Sequence, residues 1–417
     1  STRNTATTNF EMKQFNVPSS YRSEILGPIK SYRKKLDPRK KDFSPSVLKL
    51  KGTEIVIPRH FGFCYGVENA IEIAFETIHK NVGKRIFMLG EMIHNPDVNR
   101  DLVDLGVKFL VNNAGERLID FSTLTSSDVV ITPAFGTTVE IEKELNEIGV
   151  ELEKYNTTCP FVEKVWNRSS ELGNKNYTLV IHGKYKHEET RATFSHGAQS
   201  GHCIIIRNIE EARELADFIN QTRSQEEFEK IFAGKFTKGM KIAFDLKRIG
   251  VVNQTTMLAE ETIAISNYLR DVVVGVHGPE AYADTRDTLC YATNDNQTAT
   301  QHLLNNEGVK IAFVVGGFNS SNTLQLATIL KKNYLVFYIR GESDLIDKNI
   351  IRHFNFENMS EELTQVDWLS EDFKKFIITS GASCPDSIMD SVIRRIADCR
   401  NSLDSLDLSV KNLLAEE

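Results

Sequence analysis

Three of the six cysteines in this 417-residue chain share one local setting. Cys64 lies in "HFGFCYGVENAIEIAFE", Cys159 in "NTTCPFVEKVWNRSSEL" and Cys290 in "DTLCYATNDNQTATQHLL". Each precedes a helical pattern. Val67, Ala70, Ile71, Ala74 and Phe75 recur at helical spacing after Cys64, and Pro160 supplies a first-turn proline after Cys159. Thr293 and Asn294 are expected to cap a helix leading to Leu303 and Leu304. A helix N-terminus has unpaired N–H groups and a dipole that favours negative charge, so a thiol there is biased toward thiolate. Thiolate is the form that acts as nucleophile or metal ligand. Taken one at a time, each cysteine is as readily a small buried hydrophobe. Three thiolates brought together from separate segments would repel unless a cation neutralised them, which points to a metal ion or an iron–sulfur cluster. Cys203 heads an apolar run and Cys399 lies late in a helical stretch, so neither suits a ligand; Cys384, in a loop before a helix, is a weak alternative.

Other loops carry groups suited to an oxyanion. "KIAFVVGGFNSSNTLQLATIL" reads as a strand, a Gly-Gly turn, and then Ser320, Ser321 and Asn322 opening a helix. "FIITSGASCPDSIMDSVI" repeats the arrangement with Gly381, Ala382 and Ser383, and "IGVVNQTTMLAEETIAIS" with Gln254, Thr255 and Thr256. Plain N-capping accounts for any one of them; three in one chain favour an anionic ligand. The chain has no GxxxxGK[ST] and no GxGxxG, which disfavours a nucleotide. His94 stands beside Asn95, and "VIHGKYKHEETRATFSHG" gathers His182, His187, Glu188, Glu189 and His196. Imidazoles can donate to phosphate oxygens, and a His–Glu pair can relay protons.

The elements that must position these residues alternate between strand and helix from about residue 54. The apolar runs "EIVIP", "RIFML", "DVVITPAF", "YTLVIHG", "CIIIRN", "KIAFDL", "IGVVNQT", "DVVVGVHG", "KIAFVVGG", "YLVFYIR" and "FIITSG" are expected as strands, several of them central in parallel sheets. That is an α/β pattern, in which ligands bind in loops at the carboxyl ends of strands. "INQTRSQEEFEKIFAGKFTKGMK" lacks a clear apolar face and is expected as a surface insertion, and the basic run "SYRKKLDPRKKDF" as a solvated extension packed on the body. The tail beyond about Asn401 reads as a short amphipathic helix using Leu403, Leu406 and Leu413. A net charge of −7 argues against broad nucleic-acid binding, and no apolar run approaches the ~20 residues of a membrane span. Six cysteines without a CxxC pair are too sparse for a disulfide framework, which suggests a reducing compartment. The start has no secretory h-region; residues 1–11 are polar ahead of Met12 and are expected to be an added remnant or, alternatively, the residue of an organelle transit peptide.

Eight motifs, in order, resemble the LytB-type 4-hydroxy-3-methylbut-2-enyl diphosphate reductase family: "GFCYGVENAI", "EMIHNPDV", "TTCPFVEKVW", "HEET", "NQTT", "DTLCYAT", "GGFNSSNT" and "TSGASCPD". The resemblance implies an α/β fold, a trefoil of three small α/β domains with mostly parallel sheets around a central cluster. The implied division is an extension over 1–48, domains over 65–158, 159–284 and 49–64 plus 285–400, and a tail over 401–417. It further implies a 4Fe-4S cluster held by Cys64, Cys159 and Cys290, with the fourth iron open to substrate. Gly62 and Gly66 would let backbone pass close to that cluster. His94, His187, Ser320, Ser321, Asn322 and Ser383 align with diphosphate-contacting positions, Glu189 with a proton-delivering acid assisted by His187, and Thr255 with a hydroxyl near the substrate alcohol. The implied partners are an allylic diphosphate substrate and ferredoxin or flavodoxin as electron donor, with neither nucleic acid nor membrane. The implied location is cytoplasmic, or the plastid stroma if the N-terminus is a transit remnant. One departure stands out: "TPAFGTT" has Phe135 where many members carry a diphosphate-contacting histidine, so Thr137, Thr138 or a backbone N–H is expected to replace that contact.

Overall fold

The apolar run "KIAFVV" folds as the strand Ile311–Val315, and its alternate residues divide between two cores. Ile311, Phe313 and Val315 join Phe337, Phe376 and Trp368 on one face, while Ala312 and Val314 meet Leu326, Leu330 and Tyr338 on the other. With both faces covered, the strand reads as continuously apolar rather than alternating. A computed structural model describes residues 15–285 and 288–415 of the chain.

The strands form three mostly parallel sheets. The largest runs in the order Ser46–Leu50, Thr53–Ile57, Lys375–Ser380, Ile311–Val315 and Leu335–Ile339, with only the first pair antiparallel. A second sheet orders Cys203–Ile206, Thr178–His182, Ile249–Asn253 and Tyr282–Ala283, and a third Lys108–Phe109, Ile86–Met88 and Val129–Ile131, both parallel throughout. These sheets and their helices make the expected trefoil of α/β units. A hairpin, Ile350–Asn355 with Ser360–Gln365, stands apart from them. One loop from each sheet reaches a cysteine-bearing helix start: Cys64 follows Thr53–Ile57, the Ala134 carbonyl after Val129–Ile131 accepts from the Cys159 N–H, and the Thr255 carbonyl after Ile249–Asn253 accepts from the Cys290 N–H. The chemistry therefore sits at carboxyl ends.

Two expected strands are helical. "KIAFDL" holds the short helix Ile242–Asp245, with Ile242 and Leu246 buried one turn apart. "DVVVGVHG" is the end of a helix, Ala259–His277, whose buried Ile265, Leu269 and Val273 recur every fourth residue. Their helical period begins upstream of the valine run, which is why the run alone misleads. The helix at Cys290 also starts earlier than expected: it spans Tyr291–Gln301 with Cys290 as its cap, and Thr293 lies inside the first turn.

The expected surface insertion is a core element. Its helix Gln225–Ile231 is capped reciprocally by Ser224 and Glu227, and its Phe228 and Phe232 are fully buried against Phe218. Aromatic bulk anchors this segment although charged residues dominate its composition. The N-terminal basic run is only partly solvated. Helix Leu26–Leu36 buries Ile29, and the buried Arg33 donates to the Ser44 carbonyl at 2.8 Å and to Ser46 Oγ at 3.1 Å. The strand Ser46–Leu50 spans the boundary placed at residue 48. In the tail, Leu406 is buried within helix Leu406–Ala415, whereas Leu403 is exposed in the preceding turn. The expectation for residues 1–11 lies outside the described residues. Among the described residues, no helix is long and apolar enough to cross a membrane.

Phe228→Ala is expected to cost about 3–5 kcal/mol by opening a cavity among the rings of Phe218, Phe232 and Phe236. A lower urea midpoint would register it; an unchanged midpoint would return the segment to the surface.

Candidate active site

Cys64, Cys159 and Cys290 occupy the same backbone position three times over. Each is the extended N-cap residue of a helix: Tyr65–Lys80, Pro160–Asn174 and Tyr291–Gln301. Cys290 Sγ accepts from the Thr293 N–H at 3.3 Å, as a capping oxygen would. Gly66 allows two of these helix starts to touch, since a Cβ there would lie 2.5 Å from Cys159 Sγ. Gly62 serves another purpose: its φ of +72° makes a turn, and a Cβ would meet the Asp386 carboxylate. Cys384 is fully buried in the core of the largest sheet, and Cys203 and Cys399 lie on other elements.

Burial raises the pKa of all three capping thiols. It drives Cys64 far above the usual thiol range, with Cys290 and Cys159 adding to the rise, and Cys159 up to about 11. Cys290 rises for the same reason, although the Thr293 hydroxyl and N–H oppose it. The helix starts thus favour thiolate less than burial and mutual repulsion disfavour it. Three soft donors on separate segments, each resisting ionisation mainly through burial, are the donor set that a thiophilic cation or cluster would satisfy.

A buried acid lies beside them. Glu189, 2% exposed, accepts from the Thr255 N–H at 2.5 Å and the Thr255 hydroxyl at 3.1 Å. The Thr255 carbonyl in turn accepts from the Cys290 N–H at 3.2 Å, so one residue joins the acid to a cysteine cap. Desolvation pushes Glu189 up to about 7 against those hydrogen bonds. Its neighbour Glu188 shifts the other way: burial would raise it, but bonding to His94 outweighs that and holds it low. Adjacent carboxyls separated this way divide the roles of proton donor and fixed charge.

His94 and His187 meet with Nε2 atoms 3.3 Å apart. Burial would discharge His94, yet Glu188 and Glu91, each 3.5 Å away, lift its pKa to about 9. His187 falls to about 3 through burial and the charge of His94. Its Nδ1 accepts from the Glu189 N–H at 3.2 Å, which leaves its one proton on Nε2, facing His94. A charged His94 then opposes donor to donor, a conflict that an anionic oxygen accepting from both would relieve. The Phe135 ring stacks on His94 at 4.3 Å and presents an edge to His187 at 5.5 Å. It therefore occupies its place by packing against the imidazoles. The Thr138 hydroxyl oxygen caps helix Val139–Ile148 by accepting from the Ile141 N–H, and the Thr137 carbonyl pairs with His196.

The hydroxyl-rich loops close the other side. Ser320 caps helix Ser321–Leu330, and Ser383 Oγ lies 3.3 Å from both Ser320 Oγ and the His94 carbonyl. Gly317 makes that approach possible, since a Cβ would sit 2.3 Å from the His94 oxygen. Asn322 accepts from the Ala382 N–H at 2.8 Å, while its buried Nδ2 has no partner among the described residues. A buried orphan donor beside two hydroxyls and an imidazole pair is suited to an oxyanion. Ser321 Oγ reaches the Thr256 carbonyl at 3.4 Å, tying this loop to that of Thr255. A cavity of about 210 Å3 opens beside His94, bounded by Glu91, Asn95, Gly317, Asn319 and Arg340.

The histidine cluster divides. His187 joins His94, whereas His182 bonds Asn253 at 3.1 Å inside its sheet and His196 stacks on Trp166 at 3.7 Å. Glu91 and Arg340 escaped the reading of the sequence. Each had a weak signal: Glu91 is one helical turn's spacing before His94, and Arg340 ends an apolar strand run.

A family model described as LytB protein matches residues 55–397. A Picosynechococcus sp. protein named 4-hydroxy-3-methylbut-2-enyl diphosphate reductase is 38% identical over 346 residues, covering 82% of this chain and 83% of its own length. A protein of the same name from Synechococcus sp. is 39% identical over 341 residues, covering 81% of each. The solved E-1-hydroxy-2-methyl-but-2-enyl-4-diphosphate reductase from Plasmodium falciparum shares the fold, with a TM-score of 0.59 at 19% identity over 84% of this chain and 89% of that one. With a family model spanning most of its length and relatives matched over four-fifths of theirs, the chain belongs to the LytB family.

Proposed function

We propose that this chain is a 4-hydroxy-3-methylbut-2-enyl diphosphate reductase, which removes the allylic hydroxyl to give isopentenyl and dimethylallyl diphosphate. The observation that carries this reading is the meeting of three helix-capping thiols with the Glu189 carboxyl, next to an imidazole pair suited to an anion. Cys64, Cys159 and Cys290 would hold a 4Fe-4S cluster, leaving one iron without a protein ligand. Such a cluster, when bound, supplies low-potential electrons and a Lewis-acidic position for the hydroxyl.

The chain's own residues do the rest. His94, His187, Ser320, Ser321, Asn322 and Ser383 hold the diphosphate, spending remote binding energy on orientation. Glu189 holds a proton near neutral pH, and Thr255 steadies it through two hydrogen bonds. The C–O bond breaks with uptake of two electrons from a ferredoxin or flavodoxin. One proton, delivered through Glu189, leaves with the hydroxyl as water; a second goes to either end of the allyl fragment, giving the two products. The placement of the reaction in the cytoplasm or a plastid stroma belongs to the same proposal.

A zinc hydrolase is the second reading, because His94, His187 and Glu188 place ligand atoms within 4.8 Å of one another. Anaerobic purification separates the two. Iron, sulfide and broad visible absorbance that changes on adding the allylic diphosphate support the reductase, and a colourless zinc-loaded protein would sink it.

Three outcomes are expected. Glu189→Gln keeps iron and sulfide content but lowers turnover by about 100-fold or more; wild-type turnover itself should fall as pH rises through about 7, where the carboxyl loses its proton. Normal turnover in the variant would remove the proton role. Replacing Cys64, Cys159 or Cys290 by Ser strips or destabilises the cluster, and unchanged iron content would strike that residue from the ligand set. Phe135→Ala removes the ring stacked on His94 and raises KM for the diphosphate by about 5-fold, on the order of 1 kcal/mol of cation–π contact, with kcat little changed. An unaltered KM would make Phe135 a spacer.

A further inference from the structure

Seven of the twelve residues from Lys30 to Lys41 are basic and one, Asp37, is acidic, in a chain whose net charge is −7. Three of the seven are occupied: Lys30 with Asp386 at 2.6 Å, Arg33 with Asp42 at 3.0 Å and Lys40 with Asp295 at 3.3 Å. Lys34, Lys35, Arg39 and Lys41 are exposed and have no ion pair among the described residues. Neither packing nor the substrate site explains four unpaired cations held on one ordered segment.

That segment lies over the outside of the thiol site. Lys40 Nζ sits 5.1 Å above the Tyr291 ring, and Tyr291 follows Cys290. The Tyr291 hydroxyl accepts from the N–H of Tyr65, which follows Cys64, at 3.1 Å. Phe161, two residues beyond Cys159, lies 5.0 Å from Tyr291. The Phe161 and Tyr291 rings therefore adjoin, and Tyr65, 41% exposed with its ring edge-on to Phe15 at 4.9 Å, joins them through its backbone N–H. Lys40 brings the basic segment to the edge of this group, and exposed Lys164 lies one helical turn beyond Phe161. An aromatic centre with a charged rim is the anatomy of a protein-docking surface.

We propose that this face docks a small acidic one-electron carrier of the ferredoxin type, handing electrons inward across Tyr65, Tyr291 and Phe161. The proposal rests on the reductase reading, in which two electrons must enter from outside. Two acidic proteins repel at long range, so productive encounters need a local patch of opposite sign, and this segment supplies it beside the residues that follow the thiols. Transient redox complexes bury little area, so such docking needs only a small face.

The test measures the Kd of holoenzyme for a plant-type ferredoxin by calorimetry, at low and high ionic strength. The variant carries Lys34→Glu, Lys35→Glu, Arg39→Glu and Lys41→Glu, and a second carries Gln at the same four positions. Binding to the Glu variant should weaken about 10-fold at low salt, less for the Gln variant, with both gaps shrinking as salt screens the charges. Turnover driven by dithionite-reduced methyl viologen should stay at the wild-type rate in both. An unchanged Kd overturns the proposal, as does an equal loss of viologen-driven turnover, which would mark the segment as structural. Binding of wild-type holoenzyme to anionic vesicles but not to ferredoxin also overturns it. Absence of viologen-driven turnover in the wild type would instead defeat the reductase reading, and the Kd comparison would still decide the docking.

Discussion

Gathering three thiols out of water at one point constrains everything around them. Burial raises the pKa of each thiol, and neighbouring charges, other thiols at Cys64 and Cys159 and the Glu189 carboxyl at Cys290, raise it further. The helix starts push the other way, through backbone N–H groups of Gly66, Val67, Phe161, Val162, Ala292 and Thr293 aimed at sulfur. Helix dipoles moderate the problem without removing it, because their pull is worth on the order of 1 kcal/mol each. Under the proposed function, a cluster held by these thiols would displace their protons as it loads, which would tie its occupancy to pH. The close passage of Gly66 past Cys159 exists because of this convergence.

The same low-dielectric setting sorts the charges nearby. Glu188 and Glu189 are consecutive in the chain, yet one is held ionised by His94 and the other is kept near neutrality by burial. His94 carries charge because two carboxylates flank it, and His187 is denied charge because His94 has it. The pattern leaves a positive charge on His94 and a proton on Glu189, the two features on which the proposed function draws. Thr255 links the two halves, bonding Glu189 with its N–H and hydroxyl and Cys290 through its carbonyl.

Much of this could be read from the chain because helix starts have a local grammar. Cys64 before an amphipathic repeat, Cys159 before Pro160, and Ser320 after Gly-Gly each report position without any tertiary contact. The strand runs read well wherever both faces are buried, as at Ile311–Val315. Misreadings came where a local pattern is ambiguous. Short apolar runs such as "DVVVGVHG" fit a strand or a helix end, and only the longer repeat through Ile265 and Leu269 decides. Phe228 and Phe232 hide a core segment inside a charged composition. Pairing partners are less legible still. That Phe135 would lie against His94, that Glu91 would charge it, and that His196 would stack on Trp166 depend on contacts between distant segments.

The largest sheet has a consequence for how the molecule is made. Its strand Thr53–Ile57, which leads into Cys64, pairs in parallel with Lys375–Ser380 near the other end of the chain. During vectorial synthesis the early strand must wait for almost the whole sequence before its neighbour emerges, and such distant pairings form slowly. The strand leading into Cys64 therefore gains its parallel neighbour only once Lys375–Ser380 has been made, and the position of that thiol is set by chain that follows it by most of three domains' length.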